Sequence, residues 1–361
     1  MAVQTVAAHP PRRARAHAVV GVAFAIVIAA ALLLWAKWFP YTAKVQGLAS
    51  SRHWSGHSTL ASAGIEAGTA PSWHGAWSFT VDYGLAVWKA LVAALVIAAA
   101  MQSLVPRGWL VGLLSRRRPV TSAMTGGLVS MPSMMCTCCT APVAVSLRRC
   151  GAPTSAVLAY WMGNPLLNPA VLVFLALVAP WQWVVTRAVV GVTLVVVGST
   201  LIARFAKRRS PDADAVPNTT TPAEAFDLGA SPARFAKAML RLTLILVPEY
   251  FVVVLLIGAF GGWLFPLSNG SGNQAMALAA ALILGTLLVI PTAGEIPLAQ
   301  GLSVAGAGLG AVGALLVTLP AVSLPSLVMV GRALTWRVTS AAAGAVATAG
   351  AIAAVLLTAL G

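Results

Sequence analysis

Residues 152–180 read APTSAVLAYWMGNPLLNPAVLVFLALVAP, an apolar run without a single charged side chain. A helix needs about 20 such residues to cross a ~30 Å hydrocarbon core, so the stretch is long enough to span a membrane. It is also broken in the middle, at Asn164-Pro165-Leu166-Leu167-Asn168-Pro169. Proline removes an amide donor and frees a carbonyl one turn earlier. Inside lipid, unpaired backbone is tolerated only where protein or a watery cavity meets it. This run therefore predicts a discontinuous helix in the interior of a bundle. Asn164 and Asn168 either cap the ends or face a solute, with Pro165 and Pro169 beside them.

The rest of the chain agrees with a membrane setting. Of 361 residues, 59% are apolar and 9% charged, and the mean hydropathy is +0.88. Soluble domains carry about 25% charged residues. The runs lack the alternation of a barrel, so helices are expected. The formal charge of +15 falls in short clusters between apolar runs, such as Arg116 to Arg118, Arg148 with Arg149, and Lys207 to Arg209. Such clusters report cytoplasmic loops; nucleic acid is excluded as the partner, and the lipid bilayer is the expected surrounding.

The chain accordingly reads as an all-α polytopic protein of the inner or plasma membrane, with about 8–10 membrane segments. Residues 1–17 form a cytoplasmic N-terminus and 18–38 a first transmembrane helix, read as uncleaved because Lys37-Trp38-Phe39-Pro40 is no cleavage site. Residues 39–78 form an outward loop with His53, His57, His74 and several tryptophans, which suit an interfacial belt better than a metal site. A first membrane repeat covers 79–204 and a second 237–361. A polar cytoplasmic linker, 205–236, divides them and holds Asp212, Asp214, Pro217, Pro222, Glu224 and Asp227; Ser268 to Gly272 make an outward turn.

The repeat rests on a shift of 155 residues, which lays Pro142 on Pro297, Gly151 on Gly306 and Pro165 on Pro320. Residues 120–147 read as a hairpin returning to the cytoplasmic side, because a single crossing would strand Arg148 and Arg149 outside. The two halves then have opposite orientation. Inverted repeats with discontinuous helices in matching places are a secondary-transporter signature, and the solute site is expected at the midplane.

All four cysteines lie between 136 and 150. Cys136-Thr137-Cys138-Cys139 stands at the apex of the first interrupted segment. In a helix Cys136 and Cys139 share a face; in an extended strand Cys136 and Cys138 do. Such thiols suit soft species such as Cu(I) or trivalent arsenic, although small cysteines also simply pack. Glu295 aligns beside the cysteine cluster's repeat position. A carboxylate at mid-bilayer usually marks a pathway or proton site, which makes it the coupling candidate; a structural pair with Lys89 or Arg187 is the alternative. Pro297, Pro320 and Ser323 occupy the matching breaks of the second half. No phosphate-binding loop is present, so ATP coupling within the chain is not expected.

Met135-Cys136-Thr137-Cys138-Cys139-Thr140-Ala141-Pro142, Leu147-Arg148-Arg149-Cys150-Gly151-Ala152-Pro153 and Asn164 to Pro169 together resemble the bacterial predicted-permease family, which includes the trivalent organoarsenical efflux permeases. Gly294-Glu295-Ile296-Pro297 and Leu319 to Pro325 fit its later block, and the resemblance spans roughly residues 80 to 335. It implies efflux of methylated or aromatic As(III), hence arsenic resistance, with Cys136 and Cys138 as thiol contacts. The chain departs by Cys139 in place of a small hydroxyl, Thr137 in place of Ser, and Gly163-Asn164 before the first proline.

The expectation is therefore a permease and not an enzyme, with no cofactor and no resident metal. It would export a small thiophilic solute past Cys136, Cys138, Cys139, Asn164 and Asn168. A homo-oligomer is compatible with this reading. A thiol–disulfide relay and a passive Cu(I) channel are the alternatives; the relay is disfavoured because the second repeat has no cysteine.

Overall fold

The computed structural model describes residues 12–54, 64–65, 70–209, 229–264, 274–304 and 307–361. All regular structure among them is helical. Among the described residues, six helices are long and apolar enough to cross a membrane, and the pair Leu309–Ala321 and Leu324–Leu334, bent by 49°, makes a seventh span if taken together. The chain is an all-α polytopic membrane protein.

The first rod joins α1 (Arg12–Leu33), a π-helical turn (Leu34–Trp38) and α2 (Phe39–Ser51). The sequence reading places an outward loop from residue 39, yet the chain continues helically to Ser51, so residues 39–51 are not loop. Pro40 stands in the first turn of α2, directly after the wide turn, where its missing N–H costs little. His57, with residues 55–63 and 66–69 of the expected outward loop, lies outside the described residues.

The second span, α3 (Trp73–Leu104), begins at Ser72, whose hydroxyl accepts from the Gly75 amide at 3.0 Å. After the short α4 (Arg107–Leu114) come α5 (Pro119–Ser130), a 3₁₀ turn (Met131–Ser133) and α6 (Thr137–Arg149). Twelve and thirteen residues give only ~18–20 Å at 1.5 Å per residue, too short for either helix to cross alone. The broken span follows as α7 (Thr154–Leu166) and α8 (Pro169–Val178). Next, α9 (Trp181–Thr193) runs through a π turn (Leu194–Gly198) into α10 (Ser199–Arg209).

The second half holds α11 (Ser231–Leu264), α12 (Gln274–Leu287), α13 (Glu295–Val304), α14 (Leu309–Ala321), α15 (Leu324–Leu334) and α16 (Trp336–Leu360). Helix therefore enters both ends of the expected linker, whose acidic residues lie outside the described residues, as does the 268–272 turn. Helix starts recur at one offset: 119 and 274, 154 and 309, 169 and 324, 181 and 336, each pair 155 apart.

Small residues bring these helices together. A Cβ on Gly126 would stand 2.3 Å from the Ala156 carbonyl oxygen, and one on Gly313 2.6 Å from that of Ala353. The α5–α7 and α14–α16 backbones thus touch, as membrane helices do where association depends on close packing. Gly258, late in α11, lies against Ala76 and Phe79, early in α3. These two long helices therefore run antiparallel.

Candidate functional site

The site forms where the interrupted helices meet. α5 cannot continue past Pro132, and the chain turns through Met134 in the left-handed region (φ 48°) before Cys136 caps α6. The matching break before α13 also carries a non-glycine left-handed residue, Ala293 (φ 71°). Such backbone persists only where surrounding contacts over-determine it. Asn164 supplies them in the first half: its Oδ1 accepts from the Met135 amide at 2.7 Å, and its Nδ2 donates to the Ser133 hydroxyl. Asn164 thus holds the crossing loop.

That turn gathers three thiols. Cys136 Sγ lies 3.1 Å from Cys138 Sγ and 3.0 Å from Cys139 Sγ, with all three sulfurs within 4.8 Å of one another. They are free cysteines and fully enclosed. A short extended step followed by helix satisfies both spacings at once: Cys136 is extended while Cys138 and Cys139 lie in the first turn of α6. Cys150 is also free but lies at the far end of α6, where burial pushes its thiol up to about 11.

Two tyrosines close over the cluster. Tyr83 Oη is 3.3 Å and Tyr250 Oη 3.9 Å from Cys138 Sγ, with their rings 6.0 Å apart. Neither was singled out in the sequence as a thiol partner. Their signal there is faint, an aromatic hydroxyl inside each of two apolar helices.

Beside Cys136 and Thr137 is a narrow cavity of about 10 Å³, room for about one water, bounded also by Pro165, Pro320, Glu295 and Thr292. Thr137 Oγ1 meets Ser323 Oγ at 3.2 Å, so the first half's break touches the second's. Ser323 caps α15 in a reciprocal arrangement with Ser326. Asn168 caps α8, accepting from the amides of Ala170 and Val171. Pro169 and Pro297 stand in the first turns of α8 and α13 and do not line the cavity.

Glu295, the first residue of α13, accepts from Arg187 Nη1 at 2.6 Å. The same guanidinium donates from Nε to the Leu166 carbonyl at 3.1 Å and from Nη2 to the Pro165 carbonyl at 2.9 Å. Those carbonyls end α7, where Pro165 and the chain break leave acceptors exposed. A cation at a helix C-terminus and a carboxylate at a helix N-terminus each oppose the local dipole. Lys89 is instead near Trp35 and Trp88.

The added N-terminal rod reaches the same place. Trp38 Nε1 donates to the Pro132 carbonyl at 3.1 Å, and Lys37 Nζ donates to Thr292 Oγ1 at 3.1 Å. One π turn thereby touches both crossing loops. Among the described residues, the cysteine triad is the one group of three His, Cys, Asp or Glu placed to hold a metal ion.

Residues 72–359 match the family ArsP_1, described as a predicted permease. The chain belongs to this predicted-permease family. It is 40% identical over 315 residues to the UPF0718 protein YraQ of Escherichia coli (strain K12), covering 86% of each chain. No solved structure matches it. The permease thus carries its thiols, its broken helices and the Arg187–Glu295 pair within the family region, while Lys37 and Trp38 lie outside it.

Proposed function

We propose that this permease exports a small thiophilic solute, organoarsenical-like, through the cavity between its two halves. The observation that carries the reading is the triad of free, enclosed thiols beside a cavity bounded by both helix breaks. Thiolates are ligands for soft, polarisable centres. A transit site has to release what it binds, so one or two sulfurs engage the solute at once and a full three-thiolate cage does not persist. The enclosed cluster and its narrow cavity correspond to a closed stage without solute, and rocking of one half against the other would open it alternately to each side.

Recurrence of helix starts at one offset and the antiparallel packing of α3 on α11 support inverted repeats. The basic clusters support a cytoplasmic N-terminus in the inner or plasma membrane. Glu295 is the coupling candidate: protonation would break its pair with Arg187 and loosen the guanidinium's hold on the end of α7. A thiol–disulfide relay has less support, because all three close thiols come from one turn of one half.

Uptake of trivalent methylarsenical, arsenite and Cu(I) into everted membrane vesicles tests the proposal. Saturable accumulation of the methylarsenical, lost in Cys136→Ser and reduced by an uncoupler, is the expected result. Accumulation of none of the three would reject the solute class. Cu(I) flux that ignores both the uncoupler and Glu295→Gln would favour the passive channel.

A further inference from the structure

Where the first half meets the second, α9, its π turn and α10 face α16 across an open groove of about 880 Å³. Small residues, Gly198, Ala345 and Ala349, leave the space open, and Leu201, Ile352 and Val355 line it with exposed hydrocarbon. Its two hydroxyls are satisfied within their own helices. Thr193 Oγ1 donates to the Val189 carbonyl at 2.8 Å, and Thr348 Oγ1 donates to the Gly344 carbonyl at 2.9 Å. The groove therefore offers an occupant apolar surface and no free hydrogen-bonding side chain. From Val189 to Leu201 it runs ~18 Å at ~1.5 Å per residue, close to the ~15 Å depth of one leaflet's hydrocarbon.

One end of the groove is basic. Arg204 and Arg208 come one and two turns after Leu201 on the same face of α10, so they continue the groove's line past its apolar part. Both are exposed, as is Lys207 beside them. Arg337, in the first turn of α16, lies two turns before Ala345 on that helix's groove side. On the inverted topology proposed above it stands at the same end as Arg204 and Arg208. Exposed Trp336 next to it suits the depth of lipid headgroups. The ion pairs among the described residues join Arg187 to Glu295 and Arg332 to Glu249, and include none of these basic groups.

We infer that this groove holds an anionic phospholipid, with an acyl chain between α9–α10 and α16 and the phosphate on Arg204 and Arg208. Contact of hydrocarbon with hydrocarbon gives no choice of headgroup. The basic end supplies it, because basic residues at a membrane surface attract anionic lipid and the guanidinium fork matches phosphate. A second copy of the chain fits this face less well: a symmetric dimer across it would bring the two basic ends together. The lipid touches both halves and so bridges the seam along which they would rock. The inference does not depend on which solute is carried; only the added contact from Arg337 rests on the proposed topology.

Native mass spectrometry of the purified full chain, delipidated in detergent and offered equal amounts of phosphatidylglycerol and phosphatidylethanolamine, reads the site directly. Wild type should retain about tenfold more phosphatidylglycerol, the scale of one or two basic contacts at a surface. Arg204→Gln combined with Arg208→Gln should remove most of that preference, and Arg337→Gln should reduce it about threefold. Ala345→Phe, which fills the groove and keeps every charge, should lower retention of both lipids. Lys237→Gln combined with Arg241→Gln serves as the control: it removes two exposed charges from α11, which packs on α3 and α15, and should leave the preference unchanged. A thermal midpoint like that of wild type in lipid-free detergent shows that each variant folds. Equal retention of the two lipids by wild type, or a loss in the α11 variant as large as in the α10 variant, would overturn the inference. Unchanged retention in Ala345→Phe would overturn it too, and a dimer dissociated by that substitution would then assign the groove to a second copy. If the α10 variant loses the preference and Arg337→Gln keeps it, the lipid site stands and the proposed topology falls.

Discussion

Arg187 and Glu295 meet at 2.6 Å inside the bundle, 108 positions apart in sequence, and join α9 to the first residue of α13. The pair links the two halves of the permease. Arg187 also holds the two carbonyls at the end of α7, so it has three jobs and Glu295 one.

Removing either partner leaves an uncompensated buried charge, which typically costs about 3–5 kcal/mol. Arg187→Met should lower the thermal midpoint in detergent more than Glu295→Gln, because Arg187→Met also orphans the Pro165 and Leu166 carbonyls. The reverse order would show that those carbonyls find other donors.

Helix contact is equally exposed to test. Gly126→Ala and Gly313→Ala drive a Cβ into the backbone of a neighbouring helix, and overpacking of this kind costs ~1–3 kcal/mol. Both should lower thermal stability. Gly47→Ala, with nothing within 4 Å of its Cβ, should not.

Inverted topology predicts opposite faces for corresponding helix starts. Ala70→Cys, just before α3, should react with a membrane-impermeant maleimide from outside. Ala230→Cys, just before α11, should react from the cytoplasm. Both residues are exposed. Labelling of both from one face would rule the inversion out.

The interrupted helices were legible because proline and asparagine act locally: Pro165, Asn168 and Pro320 mark their breaks whatever surrounds them. The thiol cluster was legible because its members are sequence neighbours. Both spacings considered, Cys136 with Cys138 and Cys136 with Cys139, occur together, since the cap is extended and the next residues helical. The pair of Glu295 with Arg187 was visible only as an alternative to coupling. Lys37, Tyr83 and Tyr250 were not legible as site residues, because what a helical side chain faces depends on helix rotation and on partners far along the chain. For Lys37 the π turn shifts the helical phase as well. The same turn hid the continuation past Pro40.

Cys150 offers an internal contrast. Its thiol, raised by burial from 9.0 to about 11, is protonated at neutral pH and loses the proton only as pH climbs towards 11. In a variant with Cys136, Cys138 and Cys139 all changed to Ser, alkylation of Cys150 by iodoacetamide near pH 8 should run about 100-fold slower than that of a thiol with the ordinary value. A rate matching a free thiol would mean that the α6–α7 turn opens readily.

The most direct test of the central claim is a thiol footprint. Wild-type permease in membranes is alkylated during turnover with and without trivalent methylarsenical, and each cysteine is quantified by mass spectrometry. The account predicts that the solute protects Cys136 together with Cys138 or Cys139 and leaves Cys150 unchanged. Continued transport of the methylarsenical with no protection at any of the three clustered cysteines would contradict it.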